Sequence, residues 1–194
     1  DTVIKNAVIA TFHVNKGDKI KIERINFHGI DTEVKESKLA KAMKKTKDRR
    51  ITNFFRSKKF NEKEYKNDKT ALIEVFNEAG FRDAIVVSDS ISYTPDNRMV
   101  LDIFFDQGKK YYFRDITWTG NSVYTTEQLN SVLLIKKGDV YDVVTMDKRL
   151  QGDPKQQHMD VRKMYTDNGY LFFNVTPVEL AIDGDSVDVE MRIM

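Results

Sequence analysis

A pattern that occurs twice constrains this chain more than any single motif. Gly17-Asp-Lys-Ile-Lys-Ile22-Glu-Arg-Ile25-Asn-Phe27-His-Gly29 runs from one glycine to another, and so does Gly108-Lys-Lys-Tyr-Tyr-Phe113-Arg-Asp-Ile116-Thr-Trp118-Thr-Gly120. Each bounding glycine of the second stretch stands 91 positions after its counterpart, and Phe113, Ile116 and Trp118 fall on Ile22, Ile25 and Phe27. Ile116 and Trp118 flank Thr117 at the period of two expected of a strand with one buried face. The chain therefore reads as a tandem repeat in which this strand opens each unit. Units of roughly 90 residues are large enough to carry separate, modest cores.

The rest of the chain repeats the order strand, helix, helix, strand, strand. In unit one, strand 19–28 leads to a helix near 33–45 carrying Leu39, Ala42 and Met43. A basic stretch over 46–60 follows, and Asn61 with Glu64 is the capping pair of a second helix. Tyr65, Leu72, Ile73, Phe76 and Ala79 form its apolar face and Gly80 ends it. Strands over 84–93 and 99–105 close the unit around the turn Pro95-Asp-Asn97. In unit two, Thr125 and Gln128 make a capping box, and Lys136-Lys-Gly138-Asp139 connects the helices. Asp153-Pro154 is the expected start of the second helix, with strands over 171–182 and 187–193 to follow. The fold class is thus α+β: two β-α-α-β-β modules, each a three-stranded mixed sheet with two helices on one face. Pro177 falls inside the second strand of its unit, which puts that strand at the edge, the third in the centre and the first beyond it. The expected boundaries are 1–18 for the last strand of a preceding module, 19–107 for one module and 108–194 for the next.

Composition excludes more than it suggests. Lys and Arg number 32 against 30 Asp and Glu, so the net charge of +2 leaves no electrostatic footprint for nucleic acid. Cysteine is absent, which rules out disulfides, thiolate metal sites and a cysteine nucleophile. No apolar run approaches the ~20 residues of a membrane-spanning helix. His13, His28 and His158 sit on separate elements without metal-ligand spacing, and Asp183 and Asp185 belong to a hairpin turn. There is no phosphate-binding glycine loop and no nucleophile elbow, so the reading includes no enzyme, no catalytic residue, no metal and no cofactor.

Ile25-Asn-Phe27-His-Gly29 and Ile116-Thr-Trp118-Thr-Gly120-Asn121, the turn Lys137-Gly138-Asp139, and the helix-to-strand turns Gly80-Phe81-Arg-Asp-Ala84 and Asn168-Gly169-Tyr170-Leu-Phe172 recur in a fixed order. In that order they resemble POTRA (polypeptide-transport-associated) domains, in particular those of the BamA family of Gram-negative outer-membrane assembly proteins. Asp167-Asn-Gly-Tyr-Leu-Phe-Phe-Asn-Val-Thr-Pro177 is similar to the Bacteroidetes branch. Unit one departs from the pattern, with the basic segment 46–60 in place of the Gly-Asp turn. The resemblance implies periplasmic modules attached to the outer membrane through a C-terminal β-barrel. It further implies, as partners, unfolded outer-membrane proteins, accessory lipoproteins and that barrel. A spacer or docking arm of a related secretion or division protein is the alternative.

Three stretches are candidate contact sites. Ala84, Ile85, Val86, Val87, Ser88, Asp89, Ser90 and Ile91 belong to an edge strand free of Lys, Arg and Pro, the residues that ordinarily blunt such edges. Its unpaired backbone groups suit strand addition by an extended client, unless a helix, a loop or a neighbouring module covers them. Phe172, Asn174, Val175 and Thr176 form the weaker counterpart, where Pro177 removes a donor. Arg49, Arg50, Phe54, Phe55, Lys58 and Lys59 suit contact with anionic lipid or a partner. The plainer reading of that last group is a helix end whose phenylalanines fold back on the core.

Overall fold

A computed structural model describes Phe12, His13 and residues 20–47, 60–153 and 159–194. The basic-segment candidates, Arg49 to Lys59, and nearly all of the stretch 1–18 lie outside the described residues. Unit one comprises β1 (Ile22–His28), α1 (Glu36–Ala42), α2 (Glu62–Glu78), β2 (Ile85–Tyr93) and β3 (Met99–Asp106). Unit two comprises β4 (Tyr112–Thr119), α3 (Thr126–Leu133), α4 (Val143–Gln151), α5 (Val161–Thr166), β5 (Val175–Asp183) and β6 (Ser186–Ile193). The two sheets have the orders β1-β3-β2 and β4-β6-β5. In each, the opening strand runs parallel to the central one and the hairpin partner antiparallel.

Both opening strands carry a bulge that the period of two does not show. Ile22 pairs with Met99 and Arg24 with Val100, so Glu23 is extra; Phe113 pairs with Val187 and Asp115 with Asp188, so Arg114 is extra. The extra residue returns Ile25 and Ile116 to the same sheet face as Ile22 and Phe113, three positions earlier. Each bulge residue is tied across the sheet by charge: Glu23 accepts from Arg98 at 2.8 Å, and the Arg114 Nε donates to Asp188 at 2.7 Å. Gly29 and Gly120 end the strands against the central strand. A Cβ built on them would stand 2.2 and 2.3 Å from the carbonyl oxygens of Phe105 and Ile193, and both have positive φ.

Each unit has its own core. Ile22, Ile25, Leu39, Leu72, Phe76, Leu101 and Ile103 close the first; Phe113, Leu129, Leu133, Tyr141, Leu150, Val187 and Met191 close the second. Ile116 and Trp118 are only partly buried at the margin of theirs, and the Trp118 indole donates to Asn130 at 2.8 Å. The helices are capped as the sequence suggests at Asn61 and at Thr125, where the reciprocal Gln128 contact is present.

Among its described residues, unit two differs from expectation in having three helices. The stretch after Gly138 forms α4, capped by Asp142, and the last helix begins at Val161, capped by Asp160 rather than by Asp153. Pro154 is outside the described residues. Two strand starts also move: β2 begins at Ile85, leaving Ala84 buried ahead of it, and β5 begins at Val175 rather than near Leu171.

Candidate functional site: two sheet rims and the joint between units

Among the described residues β2 pairs only with β3, so its outer row of N–H and C=O groups faces solvent along nine residues. Register with β3 sorts its side chains. Asp89, Ile91 and Tyr93 lie opposite Ile103, Leu101 and Met99 on the helix side, while Ser88, Ser90 and Ser92 share the outer face with Phe104, Asp102 and Val100. The helix layer closes completely over Leu101 and Ile103 but leaves Ile91 and Tyr93 about half exposed. The rim therefore projects past the helices and carries an apolar shelf beneath it. Val87, at the register shift, is also exposed.

The shelf meets α2 at a polar latch. Lys69 reaches Asp89 at 3.3 Å and lies 4.9 Å from the centre of the Tyr65 ring. Tyr65 is buried and its hydroxyl has no hydrogen-bond partner; burial first, and then the Asp89 carboxylate, push its pKa well above the ordinary phenol range. One turn further along α2, Asp68 is buried and accepts the backbone N–H groups of Lys45 and Thr46, the latter at 2.6 Å, fixing the segment after α1. The sequence did carry a signal for it. Asp68 interrupts the apolar stripe of Tyr65, Leu72 and Phe76 at helical spacing.

The other candidates scatter. Val175 is buried in the second core, Thr176 faces outward opposite Arg192, and Asn174 exchanges backbone hydrogen bonds with Met194 at 3.0 and 3.2 Å. Phe172 lies in the turn before β5 and is 98% exposed, so it is neither an edge-strand residue nor core. Phe173 beside it does pack inward, stacked on Tyr165 with ring centres 4.0 Å apart. On the far side of this sheet, β4 is covered at its start by its own chain: Phe113 N–H donates to Asp139 O, and Gly138 and Tyr141 N–H donate to Phe113 O and Tyr111 O.

The two units meet where β3 passes into β4, at a contact that no local pattern announces. Tyr111 is buried at the margin of the second core and reaches unit one with its polar groups. Its N–H donates to Gly80 O at 2.9 Å and its hydroxyl to Asp83 at 2.7 Å. Arg82 Nε donates to Glu179 at 2.8 Å, and Tyr141 OH donates to the same carboxylate at 2.7 Å. Glu179 is thereby held below the usual carboxylate range, chiefly by the Arg82 guanidinium, and Arg82 is raised above its own ordinary value, chiefly by Glu179. Lys110 with Glu33, and Lys148 with Glu78 at 3.4 Å, extend the joint. Glu179 sits in β5, so the joint reaches the rim of the second sheet.

No group of three or more His, Asp or Glu among the described residues could hold a metal ion. No helix among them is long and apolar enough to cross a membrane.

Two sheets of this order, opened by the same bulged strand, match one known module twice. The sequence profile of the POTRA family, described as a surface antigen variable number repeat, matches residues 20–108 and again residues 111–194. The chain belongs to the POTRA family. A putative outer membrane protein assembly factor of Treponema pallidum is 26% identical over 168 residues, covering 84% of this chain and 18% of the relative. The outer membrane protein assembly factor BamA of Neisseria meningitidis is 24% identical over 110 residues, covering 56% of this chain and 14% of the relative. The chain thus spans under a fifth of the length of these curated relatives. Among solved structures, POTRA domains 3–5 of Haemophilus influenzae BamA superimpose with a TM-score of 0.60 at 14% identity, over 93% of this chain and 69% of that one. BamA of Haemophilus ducreyi lacking POTRA domains 1–3 gives 0.59 at 16%, over 91% and 29%. At that identity the likeness speaks for the fold, and the fold is two POTRA modules in tandem.

Proposed function

We propose that these POTRA modules are part of the periplasmic scaffold of an outer-membrane β-barrel assembly protein. They hold unfolded outer-membrane proteins and accessory lipoproteins by strand addition and stand ahead of a C-terminal barrel in the outer membrane. The likeness to curated assembly factors supports the setting. The observation that carries the mechanism is the β2 rim: an open backbone edge with no lysine, arginine or proline, over an apolar shelf of Ile91 and Tyr93. Backbone pairing needs no particular client sequence, while the shelf favours the alternating apolar side chains of a barrel strand. The β5 rim is the weaker site, since Pro177 has no N–H to offer and Glu179 is committed to Arg82.

Proline placed singly at Ser88, Asp89, Ser90 and Ile91 tests this. N–H direction alternates along a strand, so two of the four substitutions spare the β3 ladder and remove only a rim donor. Those two are expected to keep the circular dichroism spectrum and to weaken binding of a barrel-strand peptide about tenfold, the effect of roughly one hydrogen bond. Unchanged affinity in folded variants would remove strand addition at β2. A spacer or docking arm that never holds clients is the second reading, favoured by the ion pairs across the joint. It predicts that accessory lipoproteins bind and client peptides do not.

A further inference from the structure

The polar latch beside the β2 rim holds one group more than it has partners for. Lys69 Nζ donates to Asp89 Oδ2 at 3.3 Å, with both side chains about one-third exposed. One turn earlier on α2, Tyr65 is 4% exposed and its hydroxyl has no hydrogen-bond partner. The Lys69 ammonium lies 4.9 Å from the centre of that ring, and the Asp89 carboxylate is near enough to hold the hydroxyl's proton on. Cation, carboxylate and orphaned hydroxyl thus share one spot at the edge of the shelf. A buried hydroxyl without a partner has lost its hydration and gained nothing in exchange.

The fold does not require this arrangement. Phe27 pairs with Ile103 and Trp118 with Met191 at matching levels of the two sheets, and the residues opposite on the hairpin strands are Asp89 and Pro177. The position that carries the charge in one module is a proline in the other. It also stands where a client would meet it. Asp89, Ile91 and Tyr93 follow one another on the helix side, so a strand added to the rim sets two side chains against the apolar pair and a third beside Asp89. That third side chain decides what the site accepts. An apolar one covers the ion pair without pairing it. A cation competes with Lys69 for Asp89 and leaves the Tyr65 hydroxyl as it was. A carboxylate competes with Asp89 for Lys69, and the displaced Asp89 can then accept from the Tyr65 hydroxyl. Only in the last case does every polar group of the latch end with a partner.

We propose that the β2 rim selects extended segments that carry two alternating apolar side chains and, at the next position on the same face, a carboxylate that takes Lys69 while Asp89 turns to the Tyr65 hydroxyl. The proposal rests on strand addition at β2 and names which strands the rim prefers. Lys69 is the selecting residue, its four-carbon stem giving the ammonium room to follow the incoming oxygen. Tyr65 makes the exchange affordable, because a hydroxyl donating to an ionised carboxylate forms one of the stronger hydrogen bonds. Without it, two carboxylates would crowd one lysine. The order of the pattern depends on the client's direction. Running antiparallel to β2, the apolar pair comes first and the carboxylate follows; running parallel, the carboxylate leads. The carboxylate itself belongs to an acidic side chain or to a chain end.

The test compares ligands within one protein, so that any general loss of structure cancels. Short end-blocked peptides of alternating leucine and threonine carry a single glutamate, glutamine or lysine in place of the last or the first leucine. Each is titrated by calorimetry against the 194-residue chain at low ionic strength. In one of the two orders the glutamate peptide is expected to bind about tenfold tighter than the glutamine peptide, with lysine weakest. A glutamine peptide with an unblocked carboxyl end at that position distinguishes a chain end from a side chain, and a gain from either source supports the proposal. Lys69→Met is expected to bring the glutamate preference to about one, and Tyr65→Phe to reduce it to about threefold. Equal binding of the glutamate, glutamine and free-ended peptides, or a preference for lysine, overturns the selection and leaves strand addition standing. A full preference that survives Lys69→Met or Tyr65→Phe overturns the assignment to the latch. Failure of every peptide to bind removes strand addition and the selection together.

Discussion

Unit one and unit two share strand order, bulge and close-packed glycine, and they diverge at the same two places, the rim of the hairpin strand and the turn that precedes it. Unit one has an open rim over an apolar shelf and a charged turn seated against its neighbour. Unit two has a rim interrupted by Pro177, drawn into the joint through Glu179, and an apolar turn facing outward. The backbone plan is therefore indifferent to which surface does the binding. A few side chains on a repeated frame decide which edges are left open and which ends are glued.

The comparison presumes that the units are separable, and core truncation tests that most severely. Leu72→Ala and Leu129→Ala each remove a fully buried side chain and are expected to destabilise their own unit by about 3 kcal/mol. Trp118, the one tryptophan, reports unit two. Urea unfolding followed at Trp118 should shift for Leu129→Ala and stay in place for Leu72→Ala, while hydrogen exchange reports unit one. A common shift would make the two cores one cooperative body.

The turns come next. Alanine at Gly80 or Gly169 incurs the same left-handed strain, about 1–2 kcal/mol, since both have φ of +90. Only at Gly80 does the new methyl also press on Val140. Hydrogen exchange at Tyr111 N–H should therefore quicken for Gly80→Ala and hold for Gly169→Ala. Equal behaviour would mean that the Gly80 turn is not the seat of the joint.

Acid separates the joint from the rest of unit two. Because Arg82 holds the Glu179 pKa below its unfolded value of about 4.3, its stabilising contribution is complete above that value. It is lost as pH falls through the lower, folded value. Small-angle scattering should show the two modules loosening over that interval, and Glu179→Gln should remove this acid step while leaving each sheet folded. The smallest effect belongs to the latch beside β2: Lys69→Ala breaks a partly exposed pair and should change stability by less than about 1 kcal/mol. A larger loss, measured by urea titration, would show that Lys69 matters mainly by covering the Tyr65 ring.

What was legible in the sequence was local or repeated. Paired glycines set the strand ends, Asn61 and Thr125 gave the caps, and Pro177 put its strand at an edge, from which the whole sheet order follows. The bulges were hidden because Glu23 and Arg114 look like ordinary alternating polar residues until the partner strand shows one of them to be extra. The third helix of unit two escaped because Val140-Tyr-Asp-Val-Val is rich in β-branched residues, and tertiary packing of Met146 and Leu150 overrode that preference. Arg82 and Glu179 are 97 positions apart, and no spacing rule links them. The β2 rim was visible as a composition, whereas the shelf beneath it depends on how far the helices reach across the sheet.

The parallel pairing of β1 with β3, and of β4 with β6, bears on how each module answers a pull along the chain. The polypeptide enters each module at the start of one strand and leaves it at the far end of that strand's parallel neighbour. Tension along the chain therefore slides the two strands past one another, so that every bond of the ladder resists at once instead of peeling open in turn. Each sheet is therefore expected to resist a pull along the chain better than a pull across its ladder.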